Sequence, residues 1–276
     1  MINTATVSLN NGVNMPWVGL GVYKAESGEP TKNAVLQALK DGYRSIDTAS
    51  FYDNEESVGE ALRESSVPRE EIFLTTKVWN DEQGFEQTME AFERSRQKLG
   101  VDVIDLYLIH WPVPGKYKET WGAMEKLYNE GKVKAIGVSN FTEEHLENLM
   151  KEAKVTPAVN QVEYHPKNAQ KGLREFCETH GIQMEAWRPL GRGDLLEDET
   201  IRQIADRHGK TPAQILIRWC LETKVVTIPK SITPERITAN AQVFDFSLTA
   251  EDIQAIDGMN EDLRYGYHPD DFPYDK

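Results

Sequence analysis

Apolar residues cluster along this chain in short strand-like runs separated by longer amphipathic stretches. Residues 5–15, ATVSLNNGVNM, alternate on either side of an Asn-Gly turn and predict a hairpin. A strand-like segment then recurs eight times: near 16–22, 44–48, 72–78, 104–109, 134–138, 158–162, 182–187 and 225–228. Between these segments lie helical patterns. Phe85, Met89 and Phe92 make one stripe, closed by Gly100. Trp121, Met124, Leu127 and Tyr128 make another, closed by Gly131. Thr211-Pro212-Ala213-Gln214 reads as a capping box with proline at the first helical position. Two helices, 199–207 and 212–222, fill the longer gap before the last strand, and a C-terminal helix starts at a Thr249 cap.

Strands alternating with helices predict a parallel sheet, and eight repeats predict a closed (β/α)8 barrel of the α/β class. With no linker or low-complexity segment, residues 1–276 read as one domain. An irregular tail, RYGYHPDDFPYDK, follows the last helix and is expected over the mouth of the barrel.

The catalytic end of such a barrel is where the strands finish and their loops begin. The stretch RSIDTASFYDNE places Asp47 at the end of the second strand and an exposed Tyr52 in the loop, ahead of a helix beginning near Asn54-Glu55. A phenol with an ordinary pKa of about 10 is a proton donor at neutral pH, and it needs a neighbouring cation to become a useful acid. Lys77 lies within the otherwise apolar run FLTTKVW, where a buried ammonium requires a partner, and Asp47 on the neighbouring strand supplies one. The pair is expected to set a fixed positive charge beside Tyr52 and lower its pKa. His110, at the end of the next strand, can hydrogen-bond an incoming oxygen. Together the four describe a site that protonates a developing alkoxide.

Seven ordered motifs carry a resemblance: GYRSIDTASFYDNEESVG, TTKVW, DLYLIHWP, IGVSNF, VNQVEYHP, AW-x-PLGRG and IPKSITPERI. Along essentially its whole length the chain resembles the aldo-keto reductase superfamily, and within it the bacterial and protozoal branch of 2,5-diketo-gluconate reductases and prostaglandin F synthases. The resemblance implies NADPH-dependent reduction of aldehydes and ketones, with Asp47, Tyr52, Lys77 and His110 as the catalytic tetrad and Tyr52 as proton donor. It also implies that Ser139, Asn140 and Gln161 hold the nicotinamide carboxamide, while Trp187 stacks on the ring. Lys230, Ser231 and Arg236, two cations and a hydroxyl around the start of a helix, form an anion site. The family reading of that site is the 2′-phosphate of NADPH, with Asn240 near the adenine. Tyr23, Trp79 and Trp111 are expected to wall the substrate pocket, with Tyr265 and Tyr267 from the tail closing it.

Two positions depart from the family. Arg188 stands where AWSPL has serine, and is expected near the pyrophosphate. Ala239 stands where the family often has a glutamate that grips the adenine. Both leave NADH as a second cofactor beside the preferred NADPH. No GxGxxG follows a strand, so a Rossmann site is not indicated.

Composition narrows the alternatives. The 276 residues carry 45 acidic against 31 basic side chains, a formal charge of −14, which argues against nucleic acid or an anionic membrane as partner. No apolar stretch approaches the roughly 20 residues of a membrane-spanning helix. MINTATVSL lacks the pattern of a signal peptide, and Cys177 and Cys220 read as core thiols. The expectation is a cytoplasmic monomer acting on a small-molecule carbonyl. Two rivals remain: a nucleotide-binding, non-enzymatic subunit of the same fold, and a metal-dependent barrel enzyme built on His110, Glu163 and His165.

Overall fold

A computed structural model describes residues 5–274. The hairpin is present, with β1 (Thr6–Ser8) antiparallel to β2 (Asn14–Pro16). Eight parallel strands follow: β3 (Leu20–Gly21), β4 (Ser45–Asp47), β5 (Phe73–Val78), β6 (Ile104–Ile109), β7 (Val133–Ser139), β8 (Val159–Glu163), β9 (Gln183–Trp187) and β10 (Val226–Thr227). They pair in sequence order. Backbone bonds between the two ends close the ring: Gly19 N–H donates to the Thr227 carbonyl at 2.9 Å, and Thr227 N–H to the Trp17 carbonyl at 3.0 Å. Parallel bridges Val18–Thr227 and Gly21–Lys230 complete the seam. The barrel expected from eight strand–helix repeats is the one observed.

The connecting helices are α1 (Glu29–Lys40), α2 (Glu55–Glu64), α3 (Phe85–Leu99), α4 (Tyr117–Asn129), α5 (Glu143–Met150) and α6 (Lys171–Thr179). Then come α7 (Glu199–His208), α8 (Pro212–Glu222), α9 (Pro234–Asn240) and α10 (Ala250–Asp257). Thr211 caps α8 and Thr249 caps α10, each with a reciprocal bond from the third helical residue. The stripe on α3 is narrower than its sequence predicts: Phe92 is buried and Met89 partly so, but Phe85 at the first helical position is exposed. The first strand is also shorter than 16–22, because the seam there rests on isolated bridges rather than a full ladder.

The barrel interior is layered. Leu9 and Met15 of the hairpin plug its lower end against Phe73, Leu106, Leu108, Ala135, Val159 and Val226. Gly137 is required in this floor, since a Cβ there would lie 2.6 Å from the Val159 carbonyl oxygen. Above the apolar floor the buried inward residues turn polar, with Asp47, Lys77, Gln161 and Glu185. Residues 1–4 and the tail's Asp275 and Lys276 lie outside the described residues.

Candidate active site

Three strand ends and one turn bring the tetrad together. Asp47 ends β4, Lys77 is the penultimate residue of β5, and His110 follows β6, its N–H bonded to the Val78 carbonyl at 3.2 Å. Tyr52 closes a short 3-10 turn, Ser50–Tyr52, that the left-handed Asp53 terminates. Asn54 fastens this loop from below, donating to the Val22 and Ala25 carbonyls and accepting from the Thr48 hydroxyl.

Lys77 is wholly buried, and its Nζ donates to Asp47 Oδ1 at 2.6 Å, to the Thr48 carbonyl at 2.9 Å and to the Tyr52 hydroxyl at 3.3 Å. All three ammonium protons have acceptors, which is what permits a charge at that depth. The Tyr52 and His110 rings meet edge to face, with centroids 5.6 Å apart.

The expected fall in the Tyr52 pKa is overturned. Burial raises it to about 12, and the Lys77 ammonium recovers only part of that rise. Tyr52 is also part-buried rather than the exposed loop residue its sequence suggests. Burial, and then the Lys77 charge, hold His110 well below its ordinary value, so its imidazole is neutral at neutral pH. The site therefore presents a protonated phenol, a fixed cation and a neutral imidazole.

The other sequence-predicted residues divide. Ser139 ends β7, and Asn140 follows it at φ 63°. The Asn140 amide donates to the His110 carbonyl at 2.9 Å and accepts from the Trp187 indole N–H at 2.9 Å, so Asn140 ties three strand ends into one frame. The Gln161 Nε2 donates to Asp47 Oδ2 at 2.8 Å and to Glu185 Oε2 at 2.7 Å. Arg188, at φ 56°, lays its guanidinium 5.1 Å from the centre of the Trp187 ring, with Nη1 buried and unpartnered among the described residues.

Lys230 and Arg236 are exposed and form no ion pair with any described residue, whereas Ser231 and Asn240 are buried beside them in sequence. Two unpaired cations, an orphaned guanidinium nitrogen and the half-exposed indole of Trp187 fit a large anionic nucleotide with an aromatic end. NADPH is such a group.

Around the mouth, Tyr23 lies 4.9 Å from Tyr52 between ring centroids, and Trp79 lies 4.9 Å from His110. Trp111 is nearly buried. Sequence reading missed two walls, Phe51 stacked on Trp79 at 3.7 Å and Phe272 against Trp111 at 4.2 Å. Phe51 was within reach, being adjacent to Tyr52 in the loop; Phe272 carried no signal, because nothing local fixes where an irregular tail lands. Tyr265 acts through its backbone: Glu163 accepts from the N–H groups of Tyr265 at 2.7 Å and Gly266 at 2.9 Å, and pairs with His165 at 3.1 Å. Tyr267 is largely exposed, 5.4 Å from the Phe272 ring.

The metal-enzyme alternative relied on His110, Glu163 and His165. Glu163 is engaged by protein donors on both oxygens. No group of three or more His, Cys, Asp or Glu side chains among the described residues could hold a metal ion. Among the same residues no helix is long and apolar enough to cross a membrane.

Comparison with known proteins gives the family. The sequence model of the Aldo/keto reductase family matches residues 18–261. The chain belongs to the aldo-keto reductase family and is an NAD(P)H-dependent oxidoreductase. It is 56% identical over 266 residues to a glyoxal reductase of Bacillus subtilis, covering 96% of each chain. It is 54% identical over 273 residues to a 9,11-endoperoxide prostaglandin H2 reductase of Trypanosoma cruzi, covering 98% of this chain and 96% of that one. A crystal structure of a Gox0644 mutant in complex with NADPH superposes with a TM-score of 0.92 at 48% identity, covering 98% of this chain and 99% of the other.

Proposed function

We propose that this protein reduces small aldehydes and α-dicarbonyls to alcohols with NADPH, and that Tyr52 gives the proton. The observation that carries the reading is the Lys77 ammonium, bonded at once to the Asp47 carboxylate and the Tyr52 hydroxyl beside a neutral His110. The bound nicotinamide supplies the hydride. A carbonyl oxygen accepting from Tyr52 and His110 gains negative charge as its carbon is reduced, and the fixed Lys77 charge stabilises the phenolate that Tyr52 becomes. Asp47 holds Lys77 in place and keeps that charge affordable in a buried site. Asn140 positions Trp187 for stacking, while Lys230, Ser231 and Arg236 receive the 2′-phosphate, with Asn240 at the adenine and Arg188 at the pyrophosphate.

The aromatic mouth of Tyr23, Phe51, Trp79 and Trp111 suits small carbonyl compounds without charge. Glyoxal-type dicarbonyls head the list because a glyoxal reductase shares more than half of the sequence. The test is NADPH oxidation followed by absorbance with glyoxal, methylglyoxal, simple aldehydes and keto-sugars, NADH running in parallel. Turnover led by the dicarbonyls is expected. NADPH binding without turnover on any carbonyl would refute the reading.

A further inference from the structure

One fully buried carboxyl in the barrel has no part in the chemistry described so far. Glu185 lies in β9, in register with Gln161 on β8 and Val226 on β10. Its Oε2 accepts from Gln161 Nε2 at 2.7 Å, and the same nitrogen donates to Asp47 Oδ2 at 2.8 Å. Its Oε1 has no partner among the described residues. Two carboxyls thus share one amide, and one of them, Asp47, also holds the Lys77 ammonium that bonds Tyr52.

The two are not equivalent. Asp47 accepts from the Lys77 ammonium as well as from Gln161, whereas Glu185 has a single neutral donor and an orphaned oxygen. An ionised carboxylate needs its lone pairs satisfied when buried, so the negative charge settles on Asp47 and Glu185 keeps its proton. Burial, followed by the Asp47 charge, raises Glu185 to about 8, with Gln161 and Lys77 opposing. The charged groups that face it are Asp47 from β4 and Lys77 from β5. From β8 comes only the Gln161 amide, Glu163 being engaged with the tail, and from β10 only apolar Val226 in register.

We propose that Glu185 is a positioning residue for the carbonyl reduction: its neutral carboxyl, bridged to Asp47 by Gln161, keeps the Lys77–Asp47 pair balanced beneath Tyr52, and its ionisation turns the reduction down. This rests on the reading of Tyr52 as proton donor. Loss of the Glu185 proton puts a second anion next to Lys77. The ammonium is then shared between two carboxylates, and a phenolate at Tyr52 forms in a site that already holds an uncompensated negative charge. Tyr52 becomes a poorer acid, and proton delivery to the carbonyl oxygen slows. The protein thereby carries an alkaline limit set by a buried group inside the barrel.

The experiment compares wild type with Glu185→Gln, which keeps the shape and an oxygen to accept from Gln161 but cannot ionise. Single-turnover NADPH oxidation at saturating carbonyl is followed from about pH 6 to about pH 10, where two strongly interacting groups displace each other by a pK unit or more. Wild type is expected to fall about tenfold to a lower plateau as pH rises, and Glu185→Gln to run level across the same range, matching wild type within about threefold at the acid end. The same alkaline fall in both proteins overturns the proposal. Infrared difference spectra, wild type minus Glu185→Gln, supply a readout independent of turnover. A protonated-carboxyl C=O band near neutral pH that vanishes at high pH is expected; its absence near neutral pH also overturns the proposal. A wild type that reduces no carbonyl would refute the reductase reading instead, and the infrared band would still decide the charge of Glu185.

Discussion

The rings of Trp111 and Phe272 lie with centroids 4.2 Å apart and planes inclined by 31°, joining the loop after β6 to the C-terminal tail. Phe272 also meets Trp79 edge-on at 6.2 Å. The tail is thereby part of the mouth, and Glu163 pins it from inside the barrel through the backbone of Tyr265 and Gly266. Gly266 suits that anchor, because a Cβ there would lie 2.7 Å from the Trp187 ring and 3.0 Å from Glu163.

Removing the Phe272 ring opens one side of this mouth without touching the tetrad. Phe272→Ala is expected to raise KM for aromatic and long-chain aldehydes about fivefold to tenfold, in line with the roughly 1 kcal/mol of an aromatic pair beyond its burial. KM for glyoxal should move by less than about twofold, since so small a substrate spans only the tetrad end of the pocket. Steady-state kinetics on the two classes check it, and equal shifts in both would show that Phe272 only props the tail.

Tyr52→Phe deletes one oxygen and keeps the ring that Tyr23 and His110 flank. The rate of carbonyl reduction is expected to fall by about two to four orders of magnitude, the usual range for losing a general acid. NADPH affinity, measured by quenching of tryptophan fluorescence, should stay within about threefold, because Tyr52 makes no claim on the nucleotide. Turnover close to wild type would remove Tyr52 from its role.

Lys77→Met strands the Asp47 carboxylate in the barrel, and breaking a buried pair from one side costs roughly 3–5 kcal/mol. Asp47→Asn combined with Lys77→Met removes both charges, and is expected to recover much of that stability while remaining inactive. Urea denaturation together with NADPH turnover separates the two roles. A double variant as unstable as the single one would mean the pair is held by more than its own charges.

The fold was legible because its signals are local and periodic. Eight apolar runs with helical spacers specify a parallel barrel, and the caps at Thr211 and Thr249 mark their helices as the sequence predicts. The tetrad was legible because a lysine in an apolar strand demands a counterion, and register sets Asp47 on the neighbouring strand. Other features depend on distance through space. The sign of the Tyr52 shift is decided by how completely the folded chain excludes water, which no spacing encodes. Glu185 reads in sequence as one acid within QMEAW, and only barrel closure sets it across from Asp47. Phe272 depends on the path of an irregular tail, and the Gln161 bridge on two carboxyls brought to one amide by three separate strands.

Lys230→Ala with Arg236→Ala tests the phosphate end. Neither cation has a carboxylate partner among the described residues, so removing them breaks no visible structure. Charge-assisted bonds to a phosphate contribute about 1.5–3 kcal/mol each. NADPH affinity is expected to fall at least tenfold by the conversion of about 1.4 kcal/mol per decade, with NADH changed by less than about threefold. Equal losses for both cofactors in titration calorimetry would place the 2′-phosphate elsewhere.

Acid stability is expected to depend on Asp252, far from the chemistry. Its side chain is buried at the start of α10, where it accepts from Arg207, from His208 at 2.7 Å and from the Thr249 backbone at 3.1 Å. Burial alone would raise its pKa, but these donors, with His208 and Arg207 foremost, hold it well below the usual carboxylate range. A carboxyl whose folded pKa is depressed contributes stability that is complete above its unfolded value of about 3.9 and is lost as pH falls toward the folded value. Asp252→Asn keeps the shape and the cap acceptor but gives up the charge, and is expected to cost about 2 kcal/mol at neutral pH. The difference between wild type and variant should shrink steadily below about pH 4 and leave the upper part of the pH range flat. Urea denaturation from neutral to acid pH measures it directly. A difference that stays constant down to the lowest pH would mean that packing at the α7–α10 contact, rather than the ionised carboxylate, carries the stability.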